Sequence, residues 1–333
     1  MNAGPAVTVV IPLYNKAREI DRTLRSVQAQ TRSDYQVIVV DDGSDDGGGE
    51  AVLALGDPRF RLIRQGNGGV SVARNRGLEE ARTELVALLD ADDEWHPEFL
   101  AVLLELHQRY PEAALCGAGY AMVGSRADRA LPPRWRDLPL NPEGGLIEDF
   151  MASMEGDCPL CSSSVLGRRR VLLENGGFAV GEALGEDWDM WVRVALNYRI
   201  AFCPRTLVTY RLDATNRARH RLRWDGSETA LTRTLRGALA GNEALVVDRS
   251  SVANCLSHHL RLLARGAIAC GHQVRARALL REAYAISPVH GHWRRLWVKS
   301  YFGPGLNRVL DGLRDLERSF RHRRRSVRKG CLP

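Results

Sequence analysis

Short apolar runs that stop abruptly at acidic or turn-forming residues recur through the first ninety positions. Val7-Thr-Val-Val-Ile11 closes on Pro12, Gln36-Val-Ile-Val-Val40 on Asp41-Asp42-Gly43-Ser44, and Leu85-Val-Ala-Leu-Leu89 on Asp90-Ala-Asp92-Asp93. Runs of this length, bounded by turn signals, predict strands buried on both faces. Arg61-Leu-Ile-Arg64 predicts a shorter one. Between them, Ile20, Leu24 and Val27 recur at helical spacing behind Asn15, a candidate cap. Gly66-Asn-Gly-Gly69 turns into a helix carrying Val72, Ala73, Arg74, Asn75 and Leu78, and Pro97 opens another amphipathic segment. Alternating strands and helices predict an α/β fold with a parallel, doubly wound sheet. Its strand ends bring Pro12, Tyr14 and Asn15, Asp41 and Asp42, and Asp90 and Asp92 to one edge, where open α/β sheets take ligands.

Later the punctuation changes. Four prolines between Leu131 and Pro142 predict a loop or lid, and Ser162–Leu166 resumes extended character. Gly176-Gly-Phe178 is a turn, and Gly185-Glu-Asp-Trp-Asp-Met-Trp191 opens a helix running to about Asn197. Glu186 and Asp187 fall in its first turn, where the helix dipole by itself favours acids. From about Trp224 the pattern becomes helix pairs. Leu256–Gly271 and Val274–Ile286, the second stopped by Ser287-Pro288, are similar to one tetratricopeptide-type unit without a second copy. The expected organisation is an α/β domain over 1–223 and a helical appendage with a basic tail over 224–333.

Composition narrows the class. With 44% hydrophobic and 26% charged residues the chain is that of an ordinary soluble protein. It has no apolar run of bilayer length and no signal-peptide pattern, so a cytoplasmic location is expected. Seven irregularly spaced cysteines point to a reducing compartment. The net charge of +7 is concentrated late, and Arg318–Lys329 holds no acid. That stretch suits an anionic membrane surface or nucleic acid, or is simply solvated; without an interleaved aromatic platform nucleic acid is the weaker reading.

Asp90 and Asp92 offer two hard oxygen donors one residue apart, a set that suits a divalent cation shared with a phosphate ligand. Cys158-Pro-Leu-Cys161 has zinc or redox spacing but lacks a second pair, and adjacent His258 and His259 point to different helix faces. No dinucleotide-binding glycine motif or Walker lysine is present.

Taken together, Val9-Val-Ile-Pro-Leu-Tyr-Asn15, Val39-Val-Asp-Asp-Gly-Ser44, Asn67-Gly-Gly-Val-Ser-Val-Ala-Arg-Asn-Arg-Gly77, Asp90-Ala-Asp92 and Gly185-Glu-Asp-Trp-Asp189 resemble a family 2 inverting glycosyltransferase. The type is bacterial, with a C-terminal helical extension. The resemblance implies a GT-A fold, Rossmann-like with a mostly parallel central sheet, followed by an α-helical region. It implies metal-dependent transfer of a sugar from a nucleotide donor to a glycan or lipid-linked acceptor, in surface polysaccharide synthesis, on the inner face of the plasma membrane. Asp187 would be the catalytic base, with Glu186 orienting the loop or touching the acceptor. Trp188 and Trp191 would meet a sugar face or pack in the core. Asp92 would bind Mn or Mg directly, and Asp90 the metal or the ribose. Asp42 would accept a ring N–H of the nucleobase, which favours a UDP-sugar over a cytosine donor. Asp41 would brace that loop, and Pro12, Tyr14 and Asn15 would wall the base. Arg74 would contact base or phosphates, its alternative being an exposed helical charge. Asp93 would cap the helix after Pro97. Where many relatives carry a histidine shortly after a Tyr-Arg pair as a further metal or diphosphate ligand, Tyr210-Arg211-Leu212 is followed by Asp213, with His220 further on. Either Asp213 substitutes or the loop is arranged differently, and whether Asp213 or His220 completes the metal site stays open. Three rivals stay open: a nucleotide-sugar binder without turnover, a nucleic-acid binder acting through the tail, and an enzyme with another nucleotide-activated substrate, such as a nucleotidyltransferase.

Overall fold

The structure is a computed structural model that describes residues 4–124, 127–131, 135, 137–139, 141–182, 184–215, 226–242, 244–288, 293–303 and 305. In chain order the strands are β1 (Val7–Leu13), β2 (Tyr35–Asp41), β3 (Phe60–Arg64), β4 (Leu85–Leu88), β5 (Glu94–Trp95), β6 (Ala113–Gly124), β7 (Ala127–Leu131), β8 (Gly145–Leu146), β9 (Val165–Arg168) and β10 (Arg199–Arg211). The helices are α1 (Ile20–Gln28), α2 (Gly48–Ala54), α3 (Val70–Glu80), α4 (Phe99–Arg109), α5 (Phe150–Ser153), α6 (Arg169–Glu174), α7 (Glu186–Asn197), α8 (Ala230–Ala240), α9 (Arg249–Cys270), α10 (Gln273–Ile286) and α11 (Trp293–Lys299).

The strands form one sheet in the order β3-β2-β1-β4-β9-β6-β10-β5, with β7 added on β6 and β8 on β10. β1 pairs in parallel with both β2 and β4, and every residue of β1 and β4 is buried. Both faces are therefore covered, as their unbroken apolar composition requires. The single hydroxyl of β1, on Thr8, is satisfied by Thr83 at 2.6 Å and Gln36 at 2.8 Å. β9 departs from the parallel expectation. It runs antiparallel to β4 on one side and to β6 on the other. The extended stretch expected at Ser162–Leu166 starts as a 3₁₀ turn, Ser162–Ser164, because the Ser164 hydroxyl closes back on Cys161.

The helices bury the faces their spacing predicts. α1 places Ile20, Leu24 and Val27 in the core, and α4 places Phe99, Leu100, Leu103 and Leu106 there. α3 lies so close to β1 that a methyl on Gly77 would sit 2.2 Å from Val10 Cγ1. The absent side chain is what sets that approach.

The chain divides into two compact units, one of residues 1–222 and 229–255, the other of 223–228 and 256–333. α8, which the sequence reading puts in the appendage, belongs to the first unit. There Thr234 Oγ1 donates to Asp189 Oδ1 at 2.6 Å and Arg233 pairs with Glu182, both contacts too distant in sequence for periodicity to reveal. In the second unit, α10 packs Ala276, Leu280 and Ala283 inward, and Ser257 Oγ donates to the Ala283 carbonyl at 2.8 Å. Gly271, at φ +86°, makes the turn between α9 and α10. No helix among the described residues is long and apolar enough to cross a membrane. The basic stretch Arg318–Lys329 and most of the proline-rich segment 132–140 lie outside the described residues.

Candidate active site

β1 has β2 on one side and β4 on the other, so the strand order reverses beside it and leaves a crevice at the C-terminal edge. Three loops enter that crevice. After β1, Tyr14 is exposed and Asn15 takes φ +50°, a left-handed conformation that asparagine tolerates. The Asn15 N–H donates to Ser44 Oγ at 3.1 Å, and its Oδ1 accepts the Asp45 N–H at 3.0 Å. Asn15 therefore does not cap α1, which starts after Glu19 without a side-chain cap. Its side chain is engaged by the loop that follows β2. Pro12 stays within β1, paired in register with Val40.

After β2, Asp41 accepts the Ser44 N–H at 2.9 Å and lies 3.7 Å from Arg64 Nε. Asp42 is buried and tied to the next loop. Its Oδ1 accepts Gln65 Nε2 at 2.8 Å and the Gly68 N–H at 2.9 Å, and its Oδ2 the Gly69 N–H at 2.8 Å. Asp42 thus fixes the glycine turn that starts α3.

After β4 come the three carboxylates. Asp90 Oδ1 accepts Arg74 Nη2 at 2.7 Å, and its N–H donates to Ser163 Oγ at 3.1 Å. Asp92 Oδ2 accepts Lys16 Nζ at 2.7 Å, and Arg22 Nη2 donates to the Asp92 carbonyl at 3.2 Å. Asp93 is buried and does not cap the following helix, whose cap position is Glu98. It accepts Ser163 Oγ at 2.5 Å and the Arg211 N–H at 2.9 Å, joining β4 to the 3₁₀ turn and to β10. Burial, then the charges of Asp92 and Asp90, push its carboxyl well above the usual range.

α7 brings the fourth group of residues. Gly185 at φ +82° starts it, and Glu186 Oε1 accepts Arg74 Nη1 at 2.8 Å. Arg74 is only 3% exposed, so it is no surface charge. Its guanidinium bridges the strand-end Asp90 and the helix-start Glu186, and lies 5.2 Å from the Phe178 ring centroid. Asn75 clamps the same turn, donating to the Phe178 carbonyl at 2.9 Å and accepting its N–H at 2.7 Å. Burial, with repulsion from Glu186, pushes the Asp187 carboxyl up to about 7 against the attraction of Arg74. Asp189 is buried and pairs with Arg193 at 2.9 Å, and Arg193 Nη2 donates to the Gly177 carbonyl at 2.7 Å. Trp191 is fully buried, edge-on to Phe178 at 5.9 Å, and is core; Trp188 is half-buried.

The structure thus gathers Asp90, Glu186 and Asp187 around Arg74, with Asp92 and Asp93 following on the Asp90 loop. Asp42 and Asn15 organise the loops on the β2 side. Asp213 is exposed, and His220 lies outside the described residues. Cys158 and Cys161 are buried free thiols. His259 is buried, its pKa pushed down to about 3 by burial and by His258, as suits a neutral core imidazole. Sequence reasoning passed over Lys16, Ser163 and Glu19. Lys16 directly follows the Pro-Leu-Tyr-Asn stretch, and that position was its only signal.

The donor set bears on a divalent cation. Among the described residues no three His, Cys, Asp or Glu side chains assemble as a metal cage. Mg²⁺-type sites commonly use one or two carboxylates plus substrate phosphates, and Asp90 and Asp92 supply those. Asp90, Asp92 and Glu186, balanced by Arg74 and Lys16, also leave room for positive charge before a diphosphate can enter. The residues fit such an ion.

A family model described as Glycosyl transferase family 2 matches residues 8–176. The "uncharacterized glycosyltransferase YibD" of Escherichia coli (strain K12) is 33% identical over 142 residues, which are 42% of this chain and 40% of that one. The "succinoglycan biosynthesis protein ExoO" of Rhizobium meliloti (strain 1021) is 42% identical over 102 residues, 30% of this chain and 29% of that one. These matches span less than half the length of either relative. Among solved structures, S. aureus TarS 1-349 in complex with UDP-GlcNAc superposes with a TM-score of 0.68 at 16% identity, covering 89% of both chains, which shows a shared fold. With its family motifs spread in order across half its length, the chain belongs to glycosyl transferase family 2.

Proposed function

We propose that this chain is an inverting, metal-dependent glycosyltransferase that moves a sugar from a nucleoside-diphosphate donor, a UDP-sugar favoured, to a hydroxyl of a glycan or lipid-linked acceptor. The observation that carries the reading is the buried guanidinium of Arg74 between Asp90 and Glu186. It joins the carboxylate-tipped strand to the first turn of α7, so a donor held at the strand end faces Asp187. Family membership, the TarS complex with UDP-GlcNAc and the succinoglycan biosynthesis protein among the relatives support the donor and acceptor classes.

In this mechanism Asp187 accepts the proton of the acceptor hydroxyl. The acceptor oxygen bonds to the anomeric carbon as the bond to the diphosphate oxygen breaks, and the electron pair leaves on the diphosphate. Attack from the opposite face inverts the anomeric centre. A carboxyl lifted to about 7 suits this task, because a base works best with a pKa near the operating pH. Asp90 and Asp92 would hold Mn²⁺ or Mg²⁺, which supplies Lewis-acid stabilisation of the departing diphosphate. Asp42 has about four acceptor sites, three of them filled by the glycine loop, leaving one for the N3–H of uracil. Tyr14 and Asn15 flank that place, with Asp41 bracing the loop. The acceptor would approach past Trp188 and Glu186, and Arg318–Lys329 would hold the enzyme at the anionic inner face of the plasma membrane.

The test is Asp187→Asn. Transfer from UDP-sugars should be lost while UDP affinity is kept. A variant that transfers at the wild-type rate would remove the proposed base, and wild-type protein that binds UDP-sugars without ever releasing UDP would favour the non-catalytic binder.

A further inference from the structure

We propose that Lys16 is a built-in counter-cation that holds Asp92 in the free enzyme and is exchanged off that carboxylate when a divalent cation enters. The inference rests on the metal-dependent reading above.

Lys16 is 9% exposed, and its ammonium donates to Asp92 Oδ2 at 2.7 Å and to the Thr215 carbonyl. Enclosing a lysine costs side-chain freedom and hydration, so it persists only where partners replace the lost water. Both partners here are acceptors in the same cleft. Asp92 is the carboxylate assigned to the metal, and an ammonium in hydrogen-bond contact with its Oδ2 stands where a divalent ion would coordinate. Two cations cannot share that oxygen at contact distance without strong repulsion, so they are alternatives.

The neighbouring pair behaves differently, and this singles out Lys16. Arg74 on Asp90 also engages Glu186, so its planar fork is locked into the fold at both ends. Lys16 carries a compact charge on a flexible four-carbon stem, which can swing without disturbing the backbone. Its second partner does not depend on it, because the Thr215 N–H and Oγ1 both donate to Glu19 Oε1, at 2.9 and 2.8 Å. Thr215 stays anchored when the ammonium leaves.

Mn²⁺ binding to the full chain in the presence of UDP, followed by the electron paramagnetic resonance of free Mn²⁺, tests this. Lys16→Met and Lys16→Gln should each bind Mn²⁺ about tenfold more tightly than wild type, since a like charge has been taken from the site. Equal or weaker binding in both, with thermal unfolding unchanged, overturns the proposal. Asp92→Asn should bind Mn²⁺ weakly. If it binds like wild type, Asp92 is no ligand and the exchange falls while the metal-dependent reading stands; wild-type protein that binds no Mn²⁺ with UDP removes the metal-dependent reading itself. A measurement on unmodified protein avoids any folding defect of the variants. The chain has three lysines, Lys16, Lys299 and Lys329, so acetylation can be read site by site. Mg²⁺ should speed labelling of Lys16 several-fold relative to Lys299, and a Lys16 equally protected with and without Mg²⁺ contradicts the exchange.

Discussion

Arg74 Nη1 and Glu186 Oε1 meet at 2.8 Å across 112 positions of sequence, with the other arm of the guanidinium on Asp90. Removing one member of such a buried set leaves uncompensated charge. Arg74→Ala should therefore cost about 3–5 kcal/mol of stability, measured by denaturant unfolding. Arg74→Lys should recover little, because one ammonium cannot span both carboxylates as the fork does. Loss of the Arg74 charge also removes the attraction that holds the Asp187 pKa down, so the inflection of any residual activity should lie at higher pH in Arg74→Ala than in Arg74→Lys.

Asp187 itself predicts a pH profile. Its charged neighbours are Glu186 and Asp90, which raise its pKa, and Arg74, which lowers it. A base must be ionised, so transfer should rise with pH through an inflection near 7 and level off above it. Asp187→Asn should flatten that limb and lower the rate by about 10²–10⁴-fold, the usual contribution of a positioned base.

The same carboxyl affects stability with a definite sign. Unfolded, it ionises in the usual aspartate range; folded, it holds its proton until about 7. The native state thus bears a cost that grows as pH rises between those values and is complete above the higher one. The midpoint difference between Asp187→Asn and wild type in thermal unfolding should widen in favour of the variant from pH 5 to pH 8. A constant difference would show that Asp187 is not shifted.

Gly77 sets the approach of α3 to β1. Gly77→Ala should destabilise by about 1–3 kcal/mol through overpacking against Val10. Adding Val10→Ala should return part of that loss, a coupling that a double-mutant cycle in urea measures.

Deleting residues 318–329 should abolish sedimentation with vesicles containing anionic lipid at low salt and leave UDP binding unchanged. Retained vesicle binding would place the membrane contact elsewhere.

The strands were legible because β1, β2 and β4 are buried on both faces, which demands continuous apolar runs. Asp90, Asp92 and Asp187 were legible by type, since acids at a strand end and a helix start stand out against apolar neighbours. What periodicity does not carry is partnership at a distance. Asn15 and Asp93 read locally as caps, yet Asn15 bonds the loop after β2, and Asp93 bonds Ser163 and Arg211. Arg74 on a helix reads equally well as solvated, and only its distant acids explain its burial. β9 was missed as an antiparallel strand because four residues show no direction, and Lys16 because one lysine after a turn is an ordinary surface residue until its acceptors are known.

β9 is also the last piece of the central sheet's joint to leave the ribosome. β1 to β4 can assemble once the first ninety residues exist, but β4 and β6 meet only through a strand made some seventy residues later. Until then both present open hydrogen-bonding edges, which invite pairing with other chains. A chain stopped near residue 160 should therefore aggregate; extension past Arg168 closes the seam between β4 and β6, and the other edge of β6 is covered only once β10 follows, so the vulnerable interval of synthesis ends near Arg211.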